Sequence, residues 1–196
     1  MRVSVPILLF MIRPTINEVR DKVLEIVNRP HILPVTANKG KPGNYLELLT
    51  GIPTSSACLD CSDGEVKVFP ITRRKNGTFG PKETIAVTMI NATDLTRDTF
   101  GESRLHKKLT RVLYVPYERD GDMITYKSPT IVEMNEVDAI LRKDYDDIRE
   151  RLQASGTLSG QRGMGVYLQT RTKGPKASTT RAFYLKKKFM EDMVNM

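Results

Sequence analysis

The chain has 196 residues, long enough to bury a core, and its 39% hydrophobic and 28% charged residues are globular values that exclude a disordered chain. A formal net charge of +8 points to a polyanionic partner, and only two cysteines exclude a disulfide-built scaffold. The apolar run Val3 to Ile12 is too short to span a bilayer, and Arg13-Pro14 follows it where a small-residue cleavage site would be needed. It reads as an edge strand or a packed N-terminal arm, with no membrane partner and an intracellular, non-secreted chain as the expectation.

Thr15-Ile16-Asn17-Glu18 after Pro14 has the form of a capping box, and Val19, Val23, Ile26 and Val27 form one apolar helical stripe ending near Arg29-Pro30. A Pro- and Gly-rich loop runs through Lys39-Gly40-Lys41-Pro42-Gly43. Tyr45 to Leu49 then reads as a short helix carrying Glu47, a position that is ordinarily a surface one. Cys58 and Cys61 form a lone C-x-x-C with no second pair, and His31 and His106 lie far off, so two reduced thiols near a turn are expected rather than zinc or redox chemistry.

Asp60-Cys61-Ser62-Asp63-Gly64-Glu65-Val66-Lys67 is the stretch with the clearest chemistry. Val66, Val68 and Ile71 are strand formers alternating with Glu65, Lys67 and Phe69, so the Glu65 carboxylate and the Lys67 ammonium share a face. Gly64 allows a tight turn that folds Asp60 back beside Glu65. Two carboxylates and a lysine converging on one point suit a divalent metal, an activated water and a phosphodiester, and an incompletely closed carboxylate site suits Mg²⁺. Exposed strands also carry Glu and Lys by chance, so the spacing D-x4-E-x-K is weak by itself.

Farther along, Arg73 to Gly77 is a turn and Thr84 to Ile90 a strand in which Ile85, Val87 and Met89 alternate with Ala86, Thr88 and Ile90. Arg111 to Tyr117 is nearly continuous in apolar character, as a strand buried on both faces would be, and Asp120-Gly121-Asp122 turns it into a hairpin partner at Met123 to Tyr126. Asn135 to Leu152 is helical, with Val137, Ile140, Leu141, Ile148 and Leu152 on one face. Gly156 to Gly165 is a loop, Val166 to Arg171 and Ala182 to Lys186 are strands around a basic loop from Lys173 to Thr180, and a last helix begins near Lys187. The expected fold class is α+β, a mixed sheet with flanking helices, in a single domain over residues 1–196.

Between Arg151 and Met190 there is no Asp or Glu, while nine cationic residues fall there: Arg151, Arg162, Arg171, Lys173, Lys176, Arg181, Lys186, Lys187 and Lys188. The whole positive excess therefore sits in this C-terminal lobe, from about residue 151 to 190. A basic run is ordinarily a solvated face. This one is interleaved with Tyr167, Phe183, Tyr184 and several glycines, a mix that fits loops approaching a nucleic acid. No amphipathic helix organises the charges as an anionic membrane would require.

Several segments, in order, resemble the family of MutH-type mismatch-repair endonucleases and their GATC-cutting type II restriction relatives. They are Lys39 to Gly43 with Glu47, Arg111-Val112-Leu113 behind His106-Lys107-Lys108-Leu109, Tyr167-Leu168-Gln169-Thr170-Arg171, and Phe183-Tyr184-Leu185-Lys186-Lys187. The resemblance covers the chain from about Lys39 onward and implies a restriction-endonuclease-like core with a Mg²⁺-using D…E-x-K site. By it, Asp60 and Glu65 are the metal ligands, with Asp63 the alternative to Asp60. Lys67 stands near the attacking water, Glu47 assists the metal site, and Lys108 is a further active-site lysine, with Lys107 its alternative. Arg171, Lys173, Tyr184 and Lys186 fall in DNA-binding segments that meet GATC and sense adenine methylation; arginine and lysine suit guanine O6 and N7, and a tyrosine ring can pack where an N6-methyl would project. The chain departs from the family in a shorter gap between Asp60 and Glu65, in the unmatched segment before Lys39, and in its shorter length.

The implied function is Mg²⁺-dependent cleavage of double-stranded DNA at GATC or a related site, of the type II restriction kind. One active site cuts one strand, so a double-strand cut calls for a homodimer on DNA or two visits. The alternatives are a mismatch-repair nickase that acts on unmethylated strands with a partner ATPase, and a non-catalytic DNA-binding module.

Overall fold

A computed structural model describes residues 13–33, 41–158, 165–175 and 178–194. The sequence-based expectations for Val3 to Ile12, for Lys39 and Gly40, for Gly160, Arg162 and Gly163 and for Lys176 lie outside the described residues. In chain order the elements are α1 (Ile16–Ile26), β1 (Pro30–Ile32), α2 (Lys41–Thr50), β2 (Glu65–Arg73), β3 (Phe79–Pro81) and β4 (Ile85–Met89). There follow α3 (Ala92–Arg97), α4 (Arg104–Leu109), β5 (Arg111–Asp120), β6 (Met123–Tyr126), β7 (Thr130–Glu133), α5 (Asp138–Ser155), β8 (Leu168–Thr172), β9 (Arg181–Leu185) and α6 (Lys187–Met193). The fold is α+β, a mixed sheet with flanking helices.

The capping box forms as the sequence indicates: Thr15 Oγ1 accepts from Glu18 N–H and the Glu18 carboxylate accepts from Thr15 N–H at 2.7 Å. Ile16, Val19 and Val23 bury the inner face of α1, and the helix stops at Ile26 because Val27 turns to extended backbone and Asn28 takes a left-handed φ of 58°.

The main sheet has the order β1-β6-β5-β2-β3, with β7 also on β5. Its centre is a parallel pair, β2 beside β5, and the other pairings are antiparallel. β5 is long enough to hold β7 against its first half and β6 against its second. Val112 to Pro116 are all buried, which is why the sequence there reads as an unbroken apolar run. Side chains alternate about this sheet. Val66, Leu113, Val115, Ile124 and Tyr126 pack with α1 and α2, whereas Phe69, Ile71, Val112 and Tyr114 pack with α5, α6 and a second sheet.

That second sheet is antiparallel, β4-β9-β8. A bulge between Ala86 and Thr88 shifts the register of β4 on β9. It explains why strict alternation fails there: Ile85 and Val87 are buried as expected, but Thr88 is buried too and Met89 is exposed. In α5 the buried face is Leu141, Tyr145, Ile148 and Leu152, joined by Asp144, while Ile140 stands at the exposed rim. Val137 is buried, yet it is the cap between the 3₁₀ turn Met134–Glu136 and α5 and so does not set the helical face.

Asp144 fixes where β8 begins. Its buried carboxylate accepts hydrogen bonds from the backbone N–H of Val166 (2.8 Å), Tyr167 (2.7 Å) and Leu168 (2.8 Å). Gly165, at φ +69°, must be glycine, since a Cβ would run into the Leu168 carbonyl and the Asp144 carboxylate. Replacing Asp144 by alanine leaves at least two buried N–H groups unpaired, so Asp144→Ala is expected to cost about 3 kcal/mol or more in urea unfolding. A loss under about 1 kcal/mol would show that the start of β8 is held by other contacts.

Candidate active site

The site begins in the turn that leads into β2. Cys61 N–H closes this turn on the Gly64 carbonyl (2.9 Å), and the segment before α1 grips it from outside. Arg13 donates to the Leu59 carbonyl (2.9 Å) and Ser62 N–H to the Pro14 carbonyl (3.0 Å). Asp63 is absorbed in this grip: one carboxylate oxygen accepts from Ile16 N–H, the first of α1, and the other from Arg111. Gly64 is needed for room rather than for conformational freedom, because a Cβ would strike the Arg111 carbonyl and the Ile16 side chain. With Asp63 committed, Asp60 is the aspartate left to the site, and its Oδ2 accepts from Val66 N–H at 3.0 Å.

Glu65 lies at the centre, only 1% exposed. Its Oε1 accepts from two ammonium groups, Lys67 Nζ at 2.5 Å and Lys108 Nζ at 2.6 Å, while its Oε2 is buried with no hydrogen-bond partner. Lys67 comes from two residues along β2, as period-two geometry requires. Lys108 comes from the last turn of α4, whose N-cap Ser103 accepts from His106 N–H. The neighbouring Lys107 is exposed and lines a different cleft.

Burial raises the pKa of Asp60, and the Glu65 charge raises it further; Lys67, the Val66 N–H and Lys108 pull the other way. Glu47, on α2, is raised first by burial and then by Asp60, with Glu65 adding to it and Lys67 opposing. Three carboxylates therefore act on one another across this corner of the molecule. Tyr114, beside Lys67 in the β2–β5 register, has its pKa raised by complete burial and by the Glu65 charge, and its hydroxyl has no partner.

These residues fit a hard divalent cation. They supply carboxylate oxygens, one of them an orphaned buried acceptor, Glu65 Oε2. Among the described residues no group of three or more His, Cys, Asp or Glu is arranged as a ready-made cage. Mg²⁺ needs none, since it is usually held by one or two carboxylates, several waters and substrate phosphate.

An open cleft of about 480 Å³ runs from Lys67 past Phe69 and Thr84 to Arg171 and Tyr184. It joins the carboxylate corner to the second sheet. The Arg171 guanidinium lies over the Tyr184 ring, 5.7 Å from its centroid, and donates to Thr84 Oγ1 at 2.9 Å. Arg171 is thus held flat at the mouth by stacking and a hydrogen bond.

A family model described as DNA mismatch repair enzyme MutH matches residues 55–144, the stretch from the Asp60 turn through α4 and β5 into α5. That match spans 90 of the 196 residues, so the similarity to MutH is carried by the part of the chain that holds Asp60, Glu65, Lys67 and Lys108. DNA mismatch repair protein MutH of Photorhabdus laumondii is 28% identical over 145 residues, which cover 64% of this chain and 62% of the length of that protein. A restriction endonuclease MvaI–cognate DNA substrate complex is similar to the structure with a TM-score of 0.47 and 11% identity, over 90% of this chain and 95% of that one.

In the structure the candidate site residues divide into two sets. Asp60, Glu65, Lys67 and Lys108 meet directly or through shared charge, with Glu47 in their field; Arg171 and Tyr184 join them along the cleft. Lys173 and Lys186 are elsewhere. Lys173 is exposed near the β8–β9 connection, its N–H bonded to the Thr180 carbonyl, and Lys186 Nζ donates to the Gly165 carbonyl, fastening the approach to β8. Thr84 and Tyr114 were not legible as site residues, for nothing in their local sequence marks the sheet contact that brings them there. The C-x-x-C pair is two free thiols; burial, then the Asp60 charge, pushes the Cys61 thiol up to about 12, so it stays protonated and inert at neutral pH.

The raised Asp60 pKa is a statement about stability. Its favourable contribution is complete below the ordinary value of 3.8 and is lost as pH rises through the higher folded value, so at neutral pH the ionised carboxylate costs stability. Asp60→Asn is therefore expected to unfold at a higher temperature than the parent at neutral pH in chelator. The difference should shrink as pH falls toward 3.8, and a variant less stable at neutral pH would refute the assignment.

Proposed function

We propose that this protein is a Mg²⁺-dependent, sequence-specific DNA endonuclease of the type II restriction kind, acting at GATC or a related short site. The observation that carries this reading is Glu65: one oxygen held by two lysines, the other buried and unpaired, at the head of a cleft lined by Arg171 and Tyr184. Binding alone gives no reason to crowd carboxylates where a phosphate must lie.

Asp60 and Glu65 would hold the metal, with Glu47 contributing to the field around it. A bound Mg²⁺ would supply Lewis acidity toward the phosphoryl oxygens and a water of lowered pKa. Lys67 and Lys108 offset the charge that builds on the phosphate, and Lys67, on the open side of Glu65, is placed to orient the attacking water. Arg171 offers a fork of donors to a guanine edge, and Tyr184 offers a ring face against which an adenine N6-methyl would press. A single site hydrolyses one strand, so a double-strand cut requires a second copy or a second encounter.

The second reading is a strand-selective nickase working with a mismatch-repair ATPase. It is favoured by the mismatch-repair description of both the matching family and the Photorhabdus protein.

Plasmid DNA with and without adenine methylation, incubated with Mg²⁺, separates these readings. Discrete linear fragments from unmethylated DNA support the restriction type, whereas slow nicking alone supports the nickase. Lys67→Ala is expected to slow cleavage by about 10²–10³-fold, the range for losing one electrostatic contact to developing charge. Full cleavage by that variant, or none by the parent under any of these conditions, would remove the catalytic reading.

A further inference from the structure

A second cleft, about 590 Å³, lies beside α4, and Ser56, Cys58, Arg97, Glu102, Arg104 and Lys107 are among the residues that line it. It is continuous in sequence with the active site at both margins: Lys107 precedes Lys108, and Cys58 stands two residues before Asp60. The acidic groups along it are already engaged. Glu102 accepts from the Thr99 N–H and hydroxyl, and Asp98 accepts from Arg97 Nε at 2.7 Å. Arg97 is held by Asp98 and Asp94 together. Arg104 and Lys107 are exposed, and among the described residues neither side chain has a hydrogen bond or an ion pair.

We infer that Arg104 and Lys107 bind the sugar–phosphate backbone of the strand being cut, on the flank of the scissile phosphate. The inference rests on the endonuclease reading above and adds a binding surface to it. Arg104 and Lys108 are four residues apart on one helix, so their side chains leave the same face about 6 Å apart along the axis. That separation is comparable with the spacing of neighbouring phosphates on one strand, so cations one helical turn apart can meet successive phosphates. With Lys108 at the reacting centre, Arg104 and Lys107 fall where the neighbouring phosphates of the same strand pass. Among the described residues neither cation is paired with a carboxylate, so both are open to an anion, while Glu102, hydrogen-bonded only by Thr99, keeps its negative charge on the same cleft. Neither residue faces the Arg171–Tyr184 cleft, so the contact positions the strand without reading its bases.

The experiment is the salt dependence of binding to a duplex carrying the cleavage site, by fluorescence anisotropy in chelator, between about 50 and 200 mM salt. The double variant Arg104→Ala, Lys107→Ala is expected to lower the slope of log K against log salt by about 1.8, two phosphate contacts at about 0.9 each. The charge-conserving Arg104→Lys, Lys107→Arg variant should keep the parent slope, which separates loss of charge from loss of fold. If the parent cleaves DNA but the alanine variant binds with unchanged slope and affinity, the inference is overturned and the patch is left to an acidic protein partner. If the parent neither binds nor cleaves DNA, the endonuclease reading fails and takes this inference with it.

Discussion

The parallel register of β2 on β5 sets Glu65 opposite Val112 and Lys67 opposite Tyr114. Both site residues thereby stand on the sheet face that also carries Phe69, Val112 and Tyr114, away from α1 and α2. A slip of one residue would turn Glu65 and Lys67 to the other face and bring Val66 out of its packing with Leu113 and Val115. The same register delivers Lys108, because α4 ends at Leu109 and β5 starts at Arg111. Once β5 is in place beside β2, the distance from Lys108 to Glu65 is short whatever the long connection between the strands does.

The charges assembled in this way oppose folding. Asp60 is pushed toward protonation by burial and by Glu65, Glu47 by burial and by Asp60, and Glu65 is buried with one oxygen unpaired. Two ammonium groups on a single oxygen offset part of this, and the rest is carried by the frame around the Asp60 turn. Arg13, Pro14, Ile16 and Arg111 each hold a backbone or carboxylate group of residues 59–63. A turn without that clamp could relieve the repulsion by swinging Asp60 into water. Strain of this kind persists only where neighbouring structure over-determines it.

Much of this could be read from the chain. The capping box at Thr15, the buried run at Arg111 to Tyr117 and the alternation of Glu65 with Lys67 are local patterns whose cause lies within a few residues, so the sequence displays them. The three-residue strands β1 and β3 and the short β7, α3 and α4 carry too few residues to show a period, and all were missed. The alternation in β4 breaks at a bulge, which buries Thr88 beside Val87 and exposes Met89, and Ile140 stands at the rim of the face it shares with Leu141. Lys186 reads as a DNA-facing cation in a basic run, and in the fold its ammonium also donates to the Gly165 carbonyl, a contact between residues 21 positions apart. Charge is visible in sequence; the long-range partner is not.

The MutH match and the candidate site have different boundaries, and the difference is informative. Residues 55–144 contain Asp60, Glu65, Lys67 and Lys108, but neither the clamp from Arg13 to Asn17 nor the strands bearing Arg171 and Tyr184. The matched segment nevertheless ends on Asp144, the residue whose carboxylate grips the backbone of residues 166–168. Position 144 is thus the joint between the carboxylate corner and the second sheet. A family pattern can then stay recognisable in the carboxylate corner while the strands beyond Asp144 change their side chains, provided they still offer three backbone N–H groups to the same carboxylate. One buried aspartate thus ties the start of β8 to α5, at the end of the matched segment.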